Sequence, residues 1–159
     1  MPSAGGEARR RRKEWLGLKA RPRAGPIALD TAAFIYFIEE HERFLPVVAP
    51  FFEDAAAGRR EIVTSALTLL EVLVVPLRRG NAALARRYEL LLTRSKGLRL
   101  VEIDRTILRA AAEIRARWGA RTPDAIQLAS AIGSGCGAFV TNDRELPVIP
   151  GMPIIQLAD

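Results

Sequence analysis

The chain has 159 residues, 49% of them hydrophobic, with 24 Lys and Arg against 18 Asp and Glu, and it holds one Cys and one His. That is one domain's worth of chain, able to bury its own core; no apolar run approaches the ~20 residues of a membrane-spanning helix, and no apolar signal core follows the basic N-terminus, so a cytoplasmic location is expected. With only Cys136 and His41 present, disulfide frameworks, zinc sites and Ser/His or Cys/His catalysis lack their parts, which leaves carboxylates, hydroxyls and oxygen-held metals as the available chemistry.

The net charge of +6 is concentrated at one end. Residues 1–25 carry eight basic side chains (Arg9, Arg10, Arg11, Arg12, Lys13, Lys19, Arg21, Arg23) against Glu7 and Glu14, 8 − 2 = +6, and the remainder carries 24 − 8 = 16 basic and 18 − 2 = 16 acidic groups. Gly5-Gly6, Pro22 and Gly25-Pro26 flank this run, which has the composition of a disordered basic arm set before a domain of residues 26–159. Such an arm either holds polyanions by counterion release or is a solvated extension.

Residues 27–29, Ile-Ala-Leu, read as a short buried strand, and the segment from Thr31 reads as a helix with Phe34, Phe37 and Ile38 on one face. Asp30 stands between them. In open α/β sheets ligands bind at the C-terminal strand ends, so a carboxylate there is placed for chemistry; a helix cap is the plainer role for the same residue. Phe34, Tyr36, Phe37, Phe44, Phe51 and Phe52 are six of the ten aromatic residues. With Val47 and Val48 they exceed one helical stripe, so the set is either ordinary core or, in part, an exposed face awaiting a partner. The second of these is the expectation tested below.

Residues 62–64 form a second strand, and Ser65 caps an apolar helix from Ala66 to about Val75, where Pro76 is expected to end it. Glu71 is the only charge in that helix. It takes the one wet side or is held by a cation, because burying it unpaired is costly. Gly80-Asn81 opens a helix with Leu84, Tyr88, Leu91 and Leu92 inward. The basic residues around it are a solvated face or a phosphate-contacting one. Residues 98–103 make a third strand, and Asp104 caps a helix in which Ile107, Leu108, Ala111, Ile114 and Trp118 repeat at three and four residues.

Thr122-Pro123-Asp124 starts the next helix with Thr122 as cap and Pro123 in the first turn. Asp124 there favours the helix macrodipole or serves a site. The helix stops at Gly133, and a fourth strand, residues 138–141, ends in Asn142-Asp143, a second acid at a strand's C-terminal end. Residues 153–157 supply a fifth, edge strand. Strands alternating with helices imply an α/β fold, three layers deep, with a mostly parallel central sheet of about five strands. Right-handed crossovers put the C-terminal strand ends, with Asp30 and Asp143, on one rim.

Gly133-Ser134-Gly135-Cys136-Gly137 runs from helix into strand, the wrong sense for a phosphate-binding loop. Residues 26–159 contain a single lysine, Lys96, which argues against phosphatase or phospho-acceptor chemistry.

The strand-Asp-Thr opening, the Ser-capped apolar helix with one Glu, the Thr-Pro-Asp-Ala helix start and Val-Thr-Asn-Asp after the fourth strand together resemble the PIN-domain ribonucleases, particularly toxins of the VapBC type. The resemblance spans about residues 26–157. It implies a metal-dependent endoribonuclease that hydrolyses RNA phosphodiester bonds, the toxin of a toxin–antitoxin pair. It also implies that Asp30, Glu71, Asp124 and Asp143 are the catalytic acids and the ligands of Mg²⁺ or Mn²⁺, that Thr141 and Asn142 support them, and that Glu145 is a further candidate acid. A homodimer and a protein antitoxin covering the groove are implied as well. The alternative is a non-catalytic RNA-binding or scaffolding PIN domain. Clustered carboxylates are stable only beside a hard cation, for which all-oxygen ligation suits Mg²⁺ or Mn²⁺. The four acids are therefore expected to converge on one pocket and, metal-free, to raise at least one pKa by repulsion.

Overall fold

The computed structural model describes residues 22–157, so most of the basic segment, residues 1–21, lies outside the described residues. Five short strands, β1 (Ile27–Leu29), β2 (Ile62–Ser65), β3 (Leu98–Val101), β4 (Ala138–Thr141) and β5 (Ile154–Gln156), alternate with six helices. The helices are α1 (Thr31–Ile38), α2 (Leu45–Ala56), α3 (Leu67–Arg78), α4 (Ala82–Arg94), α5 (Arg105–Trp118) and α6 (Thr122–Gly133). The strands form one sheet in the order β3-β2-β1-β4-β5, every pairing parallel. The three-layer expectation holds.

The strands are nearly all apolar because both faces of the sheet are covered. Ile27 and Leu29 of β1, Ile62 of β2, Ala138 and Val140 of β4 and Ile155 of β5 point to a core shared with Phe34, Val48, Phe52, Val72, Tyr88 and Leu92 from α1 to α4. The alternate residues Ala28, Val63 and Phe139 point to the other core, with Ile107, Ala111 and Ile114 of α5 and Ala125, Leu128 and Ala129 of α6. A one-residue slip of any strand would exchange the two sets, which fixes the register.

Side-chain acceptors mark three of the six helix starts. Asn81 Oδ1 accepts the Leu84 N–H at 3.1 Å, Asp104 Oδ1 accepts the Ile107 N–H at 2.9 Å, and Ser65 Oγ accepts the Leu67 N–H at 3.1 Å. Several boundaries differ from expectation: β3 ends at Val101 and not at residue 103, β5 covers Ile154–Gln156 and not 153–157, and α3 begins at Leu67 with Ala66, not Ser65, at the cap position. Pro76 does not end α3, which continues to Arg78; a proline so near the C-terminus removes only a single donor, its ring is buried, and its carbonyl accepts the Asn81 N–H at 2.8 Å to close the turn. Thr122 is the first helical residue of α6, and Arg121 is its cap.

The aromatic stretch is core, contrary to expectation. Phe34, Phe44, Phe51 and Phe52 are buried, and half-buried Phe37 stacks on Phe52 with ring centroids 3.8 Å apart. Exposed large apolar side chains gather most on α3, where Leu70, Val74 and Leu77 recur at helical spacing and are 61%, 41% and 64% exposed, while Leu90, Leu108, Ile132 and Val148 are exposed singly elsewhere. Among the described residues no helix is long and apolar enough to cross a membrane.

Gly97, at the entry to β3, has φ +77°, and a Cβ there would lie 2.2 Å from the Ala55 carbonyl oxygen. Backbone cannot yield as a side-chain tip does, so Gly97→Ala is expected to destabilise the domain by roughly 1–3 kcal/mol. Gly133, helical and with only ordinary contact to Ile107 at 3.6 Å, is the matched control, and Gly133→Ala is expected to be neutral or to stabilise by about 0.5–1 kcal/mol. Urea denaturation of both variants checks the pair; equal effects would contradict the close approach at Gly97.

Candidate active site

The strand order reverses between β1 and β4, which are neighbours although β2 and β3 lie to one side and β5 to the other. Such a reversal opens a crevice at the C-terminal ends of the strands. The register pairs Leu29 with Val140, so the next residue on each strand, Asp30 and Thr141, stand side by side. The Asp30 N–H continues the ladder to the Val140 carbonyl at 3.1 Å.

Thr141 joins two of the acids. Its hydroxyl donates to Asp30 Oδ2, and the same oxygen accepts the Asp143 N–H at 2.9 Å. The other carboxylate oxygen, Asp30 Oδ1, is buried and meets no hydrogen-bond partner among the described residues. Burial pushes the Asp30 carboxyl from 3.8 up to about 6, against the Thr141 hydroxyl and the N–H groups of Ala33, Asn142 and Ala32, which favour the ionised form. A raised pKa is therefore present, but desolvation causes it; the expected repulsion from the other acids does not.

Arg121 joins a second pair. Its Nε lies 3.2 Å from Asp124 Oδ2 and its Nη2 lies 3.2 Å from Asp143 Oδ2. Hydrogen bonding to Asp124, then the negative charge of Asp124 and Asp143, holds the guanidinium more firmly protonated. Asp143 is fixed further by the Glu145 N–H on Oδ1 and by Gln156 Nε2 on its carbonyl, both at 2.8 Å. Glu145 itself is exposed.

Glu71 takes the wet side of α3, where Thr31, the residue after Asp30, donates its hydroxyl to Glu71 Oε1 at 3.0 Å. Asn142 turns to α1 and donates to the Tyr36 hydroxyl at 2.8 Å. Asp30, Asp143 and Asp124 are thus joined through Thr141 and Arg121, whereas Glu71 is bonded only to Thr31. Among the described residues, however, no three His, Cys, Asp or Glu side chains lie close enough to hold one metal ion together.

Beneath the crevice runs a buried polar relay. Gln127 Nε2 donates to Thr68 Oγ1 at 2.8 Å, Thr68 and Thr64 share a 2.7 Å contact, and Thr64 Oγ1 donates to the Leu29 carbonyl at 2.9 Å. Because the two ends are fixed as amide donor and carbonyl acceptor, Thr68 is the donor in the middle step. Gln127 Oε1 also accepts the Ser65 N–H at 3.3 Å. Sequence reasoning missed Arg121, Thr31 as a partner of Glu71, and this relay. Arg121 alone had a local signal, the three-residue spacing to Asp124 within one helix start.

In chemistry, though not in the spacing seen here, the donor set is of the kind that suits a hard cation. Every oxygen is hard, one is buried and unpaired, and two others already face a positive group. The pH response of Asp30 follows with a definite sign. In the metal-free protein the folded carboxyl keeps its proton to about pH 6 and the unfolded one only to 3.8. The stabilisation this confers is complete below the unfolded value and is lost as pH rises through 6, in total on the order of 3 kcal/mol. Metal-free wild type is therefore expected to lose about 1 kcal/mol more stability than Asp30→Asn between about pH 5 and about pH 7.5. Urea midpoints at both pH values measure this, and parallel losses would show an ordinary carboxyl.

Comparison with known proteins agrees with this architecture. No curated protein sequence matches the chain. A toxin–antitoxin complex from Klebsiella pneumoniae superposes with TM-score 0.61 at 18% identity, over 84% of this chain and 98% of that one. VapBC2 from Rickettsia felis, bound to a DNA fragment from its promoter, gives 0.62 at 16%, over 80% and 96%. Mycobacterium tuberculosis VapC20, a toxin that cleaves the sarcin–ricin loop, gives 0.61 at 16%, over 76% and 92%. At these identities the likeness is one of fold. Residues 27–151, which contain all four acids and Arg121, match the PIN domain family in sequence, and the chain belongs to that family.

Proposed function

We propose that this chain is a Mg²⁺- or Mn²⁺-dependent endoribonuclease and the toxin of a toxin–antitoxin pair. The observation that carries the reading is Asp30, a carboxylate at the strand-order reversal with one buried oxygen unpaired and the other tied through Thr141 to Asp143. Asp30, Asp124, Asp143 and Glu71 would hold the ion. When bound, it supplies charge neutralisation at a phosphodiester, activation of water and stabilisation of the departing oxygen. The chain's own part is alignment. Thr141 fixes Asp30 against Asp143, Thr31 orients Glu71, and Asn142 ties the loop after β4 to Tyr36.

RNA as substrate rests on the family and on the likeness to VapC20. The antitoxin rests on the likeness to toxin–antitoxin complexes and on α3, whose exposed Leu70, Val74 and Leu77 offer an apolar face to an amphipathic helix. A homodimer would use apolar surface of the same kind. The basic segment 1–25 would add electrostatic hold on RNA. A non-catalytic RNA-binding or scaffolding PIN domain draws support from one observation, the separation of the acids among the described residues.

Incubating wild type and Asp30→Asn with total RNA, in Mg²⁺, Mn²⁺ or chelator, tests the proposal. Wild type is expected to cleave only with metal, and the variant to be slower by about 100-fold or more, with its fold intact. Cleavage that persists in chelator or equally in the variant overturns the metal mechanism, and RNA binding without cleavage of any RNA supports the scaffold. Removing residues 1–21 is expected to flatten the salt dependence of RNA affinity; equal slopes with and without the segment would end its role in binding.

A further inference from the structure

The site carries a cation of its own. Arg121 bridges Asp124 and Asp143, one contact to each, and does not grip a single carboxylate with both arms. The bidentate, short form of this pair is the strong one, at about 2.7–2.9 Å. Here both contacts are 3.2 Å, and the arginine side chain is 71% exposed. Such a pair is weak and screened by salt. The guanidinium therefore neutralises the two acids without locking them.

It also leaves part of the site unserved. Among the described residues Arg121 makes no hydrogen bond to Asp30, whose Oδ1 stays buried and unpaired. An entering divalent ion must take Asp124 and Asp143 from Arg121 but gains an oxygen that the guanidinium does not reach. Once released, the guanidinium still projects from the N-terminal end of α6, where the helix dipole favours an anion and five N–H donors suit phosphate.

Resting on the reading of these acids as a metal centre, we propose that Arg121 is a displaceable counter-cation: it occupies Asp124 and Asp143 in the free protein, is released by the metal and then binds an RNA phosphate. It thus lowers metal affinity before substrate arrives and raises RNA affinity afterwards. Metal and RNA loading become mutually supportive, because each favours the same displaced arginine. A cap that served folding alone would leave metal affinity unchanged or, through lost alignment of Asp124, weaken it on removal.

The test is calorimetric titration of Mn²⁺ into RNA-free wild type, Arg121→Gln, Arg121→Lys and Asp30→Asn, followed by RNA cleavage kinetics. Arg121→Gln is expected to bind Mn²⁺ more tightly than wild type by on the order of threefold to tenfold, with Arg121→Lys between them and the gap narrowing at high salt. The same variant is expected to raise the KM for RNA more than it lowers kcat. Equal or weaker Mn²⁺ binding by Arg121→Gln overturns the counter-cation role, and an unchanged KM overturns the phosphate role. If wild type shows no Mn²⁺ binding that Asp30→Asn abolishes, the metal centre itself fails; if wild type binds and Arg121→Gln matches it, only the role of Arg121 fails.

Discussion

The relay from Gln127 through Thr68 and Thr64 to the Leu29 carbonyl is the interaction on which the geometry of the crevice depends. It crosses four elements, α6, α3, β2 and β1, and ends one residue before Asp30. Each neutral bond in it contributes only about 0.5–1.5 kcal/mol net. Its importance is directional. A buried amide and two buried hydroxyls have few ways to satisfy one another, so they tie together the N-terminal ends of α3 and α6, which pack in the two different cores, where both meet the end of β2. Asp124 lies one turn before Gln127, and Glu71 lies one turn beyond Thr68, so the relay helps to position both acids.

The parallel sheet does the complementary task for Asp30 and Asp143. Neighbouring parallel strands in register place their C-terminal residues level, and the crossing between β1 and β4 leaves that point uncovered by a connecting helix. A threonine at position 141 can then act on both acids at once, with its proton toward Asp30 and its lone pair toward the Asp143 amide. Serine could make the same two bonds, but its hydroxyl would lack the methyl group that restricts χ1.

Much of this was legible in the chain. Three apolar residues before Asp30, and four residues ending in Thr141, read as strands covered on both sides, and their order alone put Asp30 and Asp143 on the same rim. Glu71, the one charge amid the apolar run of α3, marked its wet side. What could not be read were contacts between residues distant in sequence. Arg121 meets Asp143 across 22 residues, and Gln127 meets Thr68 across 59; nothing in either residue's neighbourhood names its partner. The aromatic residues misled for a related reason. Phe34, Phe37 and Phe52 come from two helices that pack on each other, so rings that overfill one stripe fill two facing ones.

Leu70 and Glu71 are adjacent on the exposed side of α3. A chain that settles on the apolar stripe for its hydrophobic surface is carried by that contact to within one residue of the acid. Under the proposed antitoxin reading, adhesion and occlusion would be a single event at this helix. The same adjacency makes solitude unfavourable for the protein: an uncovered stripe of Leu70, Val74 and Leu77 is a surface on which copies of the chain can stick to one another. Solubility and restraint would then have a common source, and whatever keeps the protein in solution also stands beside its acidic crevice.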